Sequence, residues 1–178
     1  MSAFYREAGL AVPAAFPVEP HEVPEPERSL LVHNCDMTPT IEAAFGQRLH
    51  LRLLNRRLKH DSLSRQVLLV LDDGRVVCMG AIRIYLDRFS DEAKRLILEG
   101  RVPLGTILAV QRIPHSSSPL GYFRVAPDAG ITGALQLNGA QPLLYGRQNV
   151  LSDLTGEVLA KVVEILPPSD DELSGEKT

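Results

Sequence analysis

Two apolar runs of strand length each carry one charge on a face that should be buried. Arg65 opens the run Ser64-Arg65-Gln66-Val67-Leu68-Leu69-Val70-Leu71, and Glu164 lies near the end of Val158-Leu159-Ala160-Lys161-Val162-Val163-Glu164-Ile165. Alternate side chains of a strand share a face, so Arg65 projects with Val67, Leu69 and Leu71, and Glu164 with Val158, Ala160 and Val162. A charge on an apolar face costs several kcal/mol to desolvate unless something pairs with it. The cation and the carboxylate are therefore either a structural ion pair or the two ends of a pocket for a small, polar, anionic molecule.

The surrounding pattern predicts an antiparallel sheet. Leucines 49, 51 and 53 alternate with His50, Arg52 and Leu54, which predicts a half-exposed strand over residues 48–57. The run 64–71 is a second strand, Asp73-Gly74 a hairpin turn, and 76–86 a third strand. Strands are also expected over 121–125, 143–151 and 157–166, with Thr155-Gly156 as a second hairpin turn and Pro167-Pro168 as a terminator. Helices are expected after Thr38, with Thr38 as cap and Pro39 in the first helical position, ending at Gly46. Another follows Ser90, with acids in its first turn, and ends at Gly100. A short helix or turn starts at Pro103, and 126–135 is a small-residue loop or short helix. Five or six antiparallel strands with intervening helices make an α+β domain, covered on both faces because the last strands are apolar on both.

The 178 residues suit one domain with a real core. Residues 1–28, with Pro13, Pro17, Pro20, Pro24 and Pro26 mixed with Glu19, Glu22, Glu25 and Glu27, predict an extended arm, disordered or draped over the domain, because proline removes a backbone donor. Residues 29–168 form the expected folded body, and 169–178 an acidic tail. A formal net charge of −3 argues against a general nucleic-acid binder. No apolar run approaches the length needed to cross a bilayer, and no signal-peptide pattern opens the chain. Cys35 and Cys78 fit reduced thiols of a cytoplasmic protein. The five histidines show no metal-ligand spacing, and neither cysteine has the setting of a nucleophile.

Further short motifs accompany the two charges. In order, the chain shows Asp36-Met37-Thr38, Arg48-Leu49-His50-Leu51-Arg52, Ser64-Arg65-Gln66-Val67, Ala81-Ile82-Arg83-Ile84 with Leu86-Asp87-Arg88-Phe89, Pro103-Leu104-Gly105, Tyr145-Gly146-Arg147, and Glu164-Ile165-Leu166-Pro167-Pro168. Asp36-Met37-Thr38 and Pro103-Leu104-Gly105 precede helix starts, where free backbone amides readily hold a carboxylate. Taken singly, Asp36 reads as a cap, Leu104 as core and Arg147 as a solvated strand residue.

The succession resembles the chorismate pyruvate-lyase family, in particular its actinobacterial-type branch, over about residues 29–168. The resemblance implies an internal ligand pocket beneath helical flaps on a six-stranded antiparallel sheet. It also implies conversion of chorismate to the aromatic product 4-hydroxybenzoate and pyruvate, with no metal or organic cofactor. Carried over by motif, Arg65 holds the ring carboxylate, Met37 and Leu104 supply backbone contacts, and Glu164 meets the ring hydroxyl. Arg147 is a candidate for the enolpyruvyl carboxylate. Gln66 stands where ubiquinone-pathway members of the family usually have a glutamate, but it faces away from Arg65. The competing expectation is a non-catalytic module of the same fold that binds aromatic acids as effectors. Regulators built on that fold carry a DNA-binding helix-turn-helix ahead of the sensor, which the Pro/Glu-rich first 28 residues do not supply.

Overall fold

The strand-forming runs assemble into one seven-stranded antiparallel sheet in the computed structural model, which describes residues 14–137 and 143–168. Its strands are β1 (Ala15–Val18), β2 (Leu49–Lys59), β3 (Ser62–Leu71), β4 (Val76–Tyr85), β5 (Ser116–Val125), β6 (Leu144–Ser152) and β7 (Val158–Ile165). They lie in the order β1-β5-β6-β7-β4-β3-β2. The turns at Gly74 (φ 91°) and Gly156 (φ 88°) use the left-handed backbone region that glycine enters freely. The helices are α1 (Glu27–Leu31), α2 (Met37–Phe45), α3 (Asp91–Glu99), α4 (Leu104–Val110) and α5 (Ala129–Leu135).

Two expectations are corrected. The strand count is seven because the proline-rich segment supplies β1, in which Pro17 sits opposite Phe123 of β5. An edge strand tolerates a residue without an amide donor, and Val23 and Leu31, on either side of the body boundary placed at residue 29, are fully buried. Residues 14–28 thus pack onto the body; the rest of the expected arm and the tail from residue 169 lie outside the described residues. Helix α2 begins at Met37 with Asp36 in the N-cap position, two residues earlier than the Thr38 cap predicts. Pro39 still falls within the first turn, whose amides have no intrahelical partner. The small-residue stretch after 126 forms α5, capped by Asp128, whose Oδ1 accepts from the Ile131 amide at 2.8 Å.

Both sheet faces are covered. On one face Leu68, Met79, Phe123, Val163 and Ile165 pack with Ile131 and Leu135 of α5. The opposite face carries two separate clusters. Helices α3 and α4 cover Leu63, Ile82, Ile84 and Ala160, while α1 and α2 cover Leu49, Leu69, Leu71 and Cys78. The polar residues of interest lie at the seam between these two clusters.

Candidate functional site

Cross-strand register builds the site as rows of side chains on one face. In the first row Arg65 of β3 pairs with Ile82 of β4, Ile82 with Val162 of β7, and Val162 with Asn149 of β6. In the second row, two residues along, Val67 pairs with Gly80, Gly80 with Glu164, and Glu164 with Arg147. The first row thus has a cation at one end, an amide at the other and apolar residues between. Beneath α2 and α4 these rows floor a cavity of about 590 Å³ counted with its mouth, also lined by Met37, Thr38 and Leu104.

Two glycines shape this space. A Cβ on Gly80 would project into the floor, 3.3 Å from Val67 Cγ2. At Gly105 a Cβ would stand 2.8 Å from Thr38 Oγ1, so the missing side chain lets the start of α4 close onto α2.

Arg65 is 3% exposed, and its Nε and Nη1 have no hydrogen-bond partner among the described residues. Desolvation pulls its guanidinium down to about 10, which leaves it charged at neutral pH. A buried, charged guanidinium with two donors unmatched is a costly arrangement unless a ligand completes it.

Glu164 borders the same cavity, but its partner is Arg147, whose Nε donates to Glu164 Oε2 at 2.6 Å. Arg147 is fully buried, and it also donates to the carbonyls of Leu31 (3.2 Å), His33 (3.1 Å) and Cys35 (3.1 Å). It is neither a solvated strand residue nor a free fork for a second carboxylate, and it does not line the cavity. Its role in the structure is to fasten the segment leading into α2. Glu164 is consequently an ion-paired carboxylate rather than a lone acid in apolar surroundings. His33 completes this knot: burial first, and then the Arg147 charge, push its pKa below the ordinary value. Its Nε2 faces the Leu30 carbonyl at 2.7 Å, and its Nδ1 receives the Cys35 amide at 3.1 Å.

Asp36 does not cap α2 with its side chain. Its Oδ2 meets His115 Nε2 at 2.7 Å, while His115 Nδ1 faces the Ile113 carbonyl at 2.8 Å. Burial opposes the charged ring, but these two acceptors outweigh it and raise the His115 pKa. The pair ties the start of α2 to the segment entering β5.

The structure therefore brings Arg65, Met37, Leu104 and Glu164 to one cavity, with Arg147 behind it. The sequence reading missed Asn149 and His115. Asn149 had a visible signal, since it shares its strand face with Arg147 and Leu151. The Asp36–His115 pair joins residues 79 positions apart and has none.

No known family description matches this chain, and no curated protein matches it in sequence. Solved structures do resemble it. PhnF from Mycobacterium smegmatis aligns with a TM-score of 0.57 at 14% identity, over 76% of this chain and 65% of that one. This chain therefore spans a little under two thirds of PhnF. The effector domain of PhnF alone aligns with a TM-score of 0.57 at 15% identity, over 74% of this chain and 87% of that domain. The ligand-binding domain of a GntR-family transcriptional regulator from Bordetella bronchiseptica aligns with a TM-score of 0.50 at 9% identity, over 68% and 86% of the two chains. At such identities the likeness is one of fold, the chorismate lyase-like fold that these domains share.

Proposed function

We propose that the cavity binds a small ring-shaped carboxylic acid of the hydroxybenzoate class, with its carboxylate on Arg65. The observation that carries this reading is the Arg65 guanidinium, buried and charged with Nε and Nη1 unpaired, at one end of an apolar-floored cavity. A carboxylate matches that planar fork and replaces the water lost on burial. Ile82 and Val162 provide an apolar bed for one ring. Helices α2 and α4 cover it, with Met37 and Leu104 against its upper side.

The reaction we assign to chorismate in this cavity is elimination. The bond from ring carbon 3 to the enolpyruvyl oxygen breaks, and the proton on carbon 4 leaves. The ring becomes 4-hydroxybenzoate, and the released enolpyruvate takes up a proton on its methylene carbon to become pyruvate. Aromatisation supplies the driving force, so the protein mainly fixes geometry and accepts a proton. The Glu164 carboxylate, oriented by Arg147, is the acceptor nearest that task. Because Arg147 is saturated, the enolpyruvyl carboxylate stays against water at the mouth, where it needs no buried cation.

The fold favours a second reading: the same pocket without turnover. The similar structures include a protein described as an effector domain and another described as a ligand-binding domain. Incubating the protein with chorismate and following pyruvate release and aromatic products by chromatography separates the two. Release of pyruvate with 4-hydroxybenzoate, suppressed in Glu164→Gln, supports elimination. Saturable binding of 4-hydroxybenzoate without pyruvate release overturns the lyase and leaves the effector reading. No binding of either compound overturns both.

A further inference from the structure

Asn149 is buried at 3% exposure, lines the cavity, and takes no part in the chemistry above. Its orientation is fixed by a chain of hydrogen bonds. Ser117 Oγ donates to the Cys35 carbonyl at 3.2 Å, so towards Asn149 that hydroxyl can only accept. Asn149 Nδ2 accordingly donates to Ser117 Oγ at 2.8 Å. The amide oxygen is left over. Asn149 Oδ1 is buried with no hydrogen-bond partner among the described residues, and so is Oδ1 of Asp36, next to Cys35 in the chain and also on the cavity wall.

The unpartnered atoms thus divide by type. Donors sit on Arg65, and acceptors sit on Asn149 and Asp36. Arg65 and Asn149 end the same row, three strand spacings apart, or roughly 14 Å between Cα atoms. A long guanidinium side chain reaching in from one end and a short amide from the other leave room for one ring over Ile82 and Val162. We propose that Asn149 Oδ1 is a specificity-determining acceptor: it selects ring carboxylates that carry a hydrogen-bond donor, a hydroxyl in the first instance, on the side opposite the carboxylate. This deepens the ring-carboxylate reading and rests on it. A ligand lacking the donor leaves Asn149 Oδ1 buried and unpaired, which a hydrogen-bonding site rejects strongly.

The test is calorimetric titration with benzoate, 4-hydroxybenzoate and 4-methoxybenzoate. The native chain should bind the hydroxy compound about tenfold or more tightly than the other two, the scale of one buried hydrogen bond. Asn149→Leu should bring hydroxybenzoate and benzoate to within about twofold of each other while benzoate still binds. Ser117→Ala, which frees the amide to turn over without touching the cavity wall, should narrow the preference as well and serves if Asn149→Leu does not fold. Equal affinities in the native chain, or a full hydroxyl preference surviving in the variants, overturn the assignment while leaving Arg65 as the anchor. Absence of binding by all three acids overturns the ring-carboxylate reading and this assignment with it.

Discussion

Arg65 and Arg147 are both buried on the same face of the same sheet, yet one has every reason to stay put and the other has donors without partners. Arg147 meets a carboxylate and three backbone carbonyls. Arg65, at 3% exposure, leaves Nε and Nη1 unbonded among the described residues. Burial alone does not separate a structural arginine from a binding one. Satisfaction of the donors does. Arg147 joins β6, β7 and the segment before α2 into one unit, whereas Arg65 stands against apolar neighbours as an unmet demand for an anion.

Substitution should exaggerate this contrast. The largest effect is expected for Arg147→Met, which strands Glu164 and three carbonyls in the interior. Breaking a buried ion pair on one side costs about 3–5 kcal/mol, which for a chain of this size lowers Tm by roughly 10 °C or more; differential scanning calorimetry reads it. An unchanged Tm would mean that the knot holds nothing together. Arg65→Met should do the reverse. It removes a desolvated charge with unpaired donors, so stability should hold or rise by about 1 kcal/mol. Affinity for 4-hydroxybenzoate should fall roughly a hundredfold, as the loss of a charge-assisted pair implies. A variant destabilised like Arg147→Met but binding normally would erase the contrast.

Smaller effects sharpen the picture. Gly80→Val fills the floor in the second row and presses on Val67, so it should weaken ligand binding about tenfold while costing about 1–3 kcal/mol in stability. His115→Ala tests the tie over α2. His115 titrates above its ordinary value of 6.5 in the folded protein, so the stability it adds is fully present below that value and fades as pH rises through the raised one. The difference in urea midpoint between the native chain and His115→Ala should therefore shrink as pH climbs from about 6 to about 8. A difference constant across that range would show that the ring contributes packing alone.

What the sequence made legible follows from how local each signal is. The hairpins at Gly74 and Gly156, the Ser90 cap whose Oγ accepts from the Ala93 amide at 3.3 Å, and the Gly100 stop depend on neighbouring residues, and all are present. Strand parity put Arg65 and Glu164 on the face where the cavity lies. Strand β1 was hidden because prolines argue against strands in general and only its edge position makes Pro17 acceptable. Asp36 reads as a cap and does hold the N-cap position, but that its carboxylate is drawn away by His115, far along the chain, was hidden. Arg147 resembled a solvated residue until its partners appeared, all of them from other elements. The same parity argument that exposed Arg65 applies to Asn149, whose amide attracts less notice than a charge.

The most direct test of the account is a crystal structure of the protein grown with saturating 4-hydroxybenzoate. The account predicts the ring over Ile82 and Val162, its carboxylate on the Arg65 guanidinium and its hydroxyl towards Asn149. A ligand bound elsewhere, or a cavity without ligand and with Arg65 turned onto a protein acceptor, would contradict it.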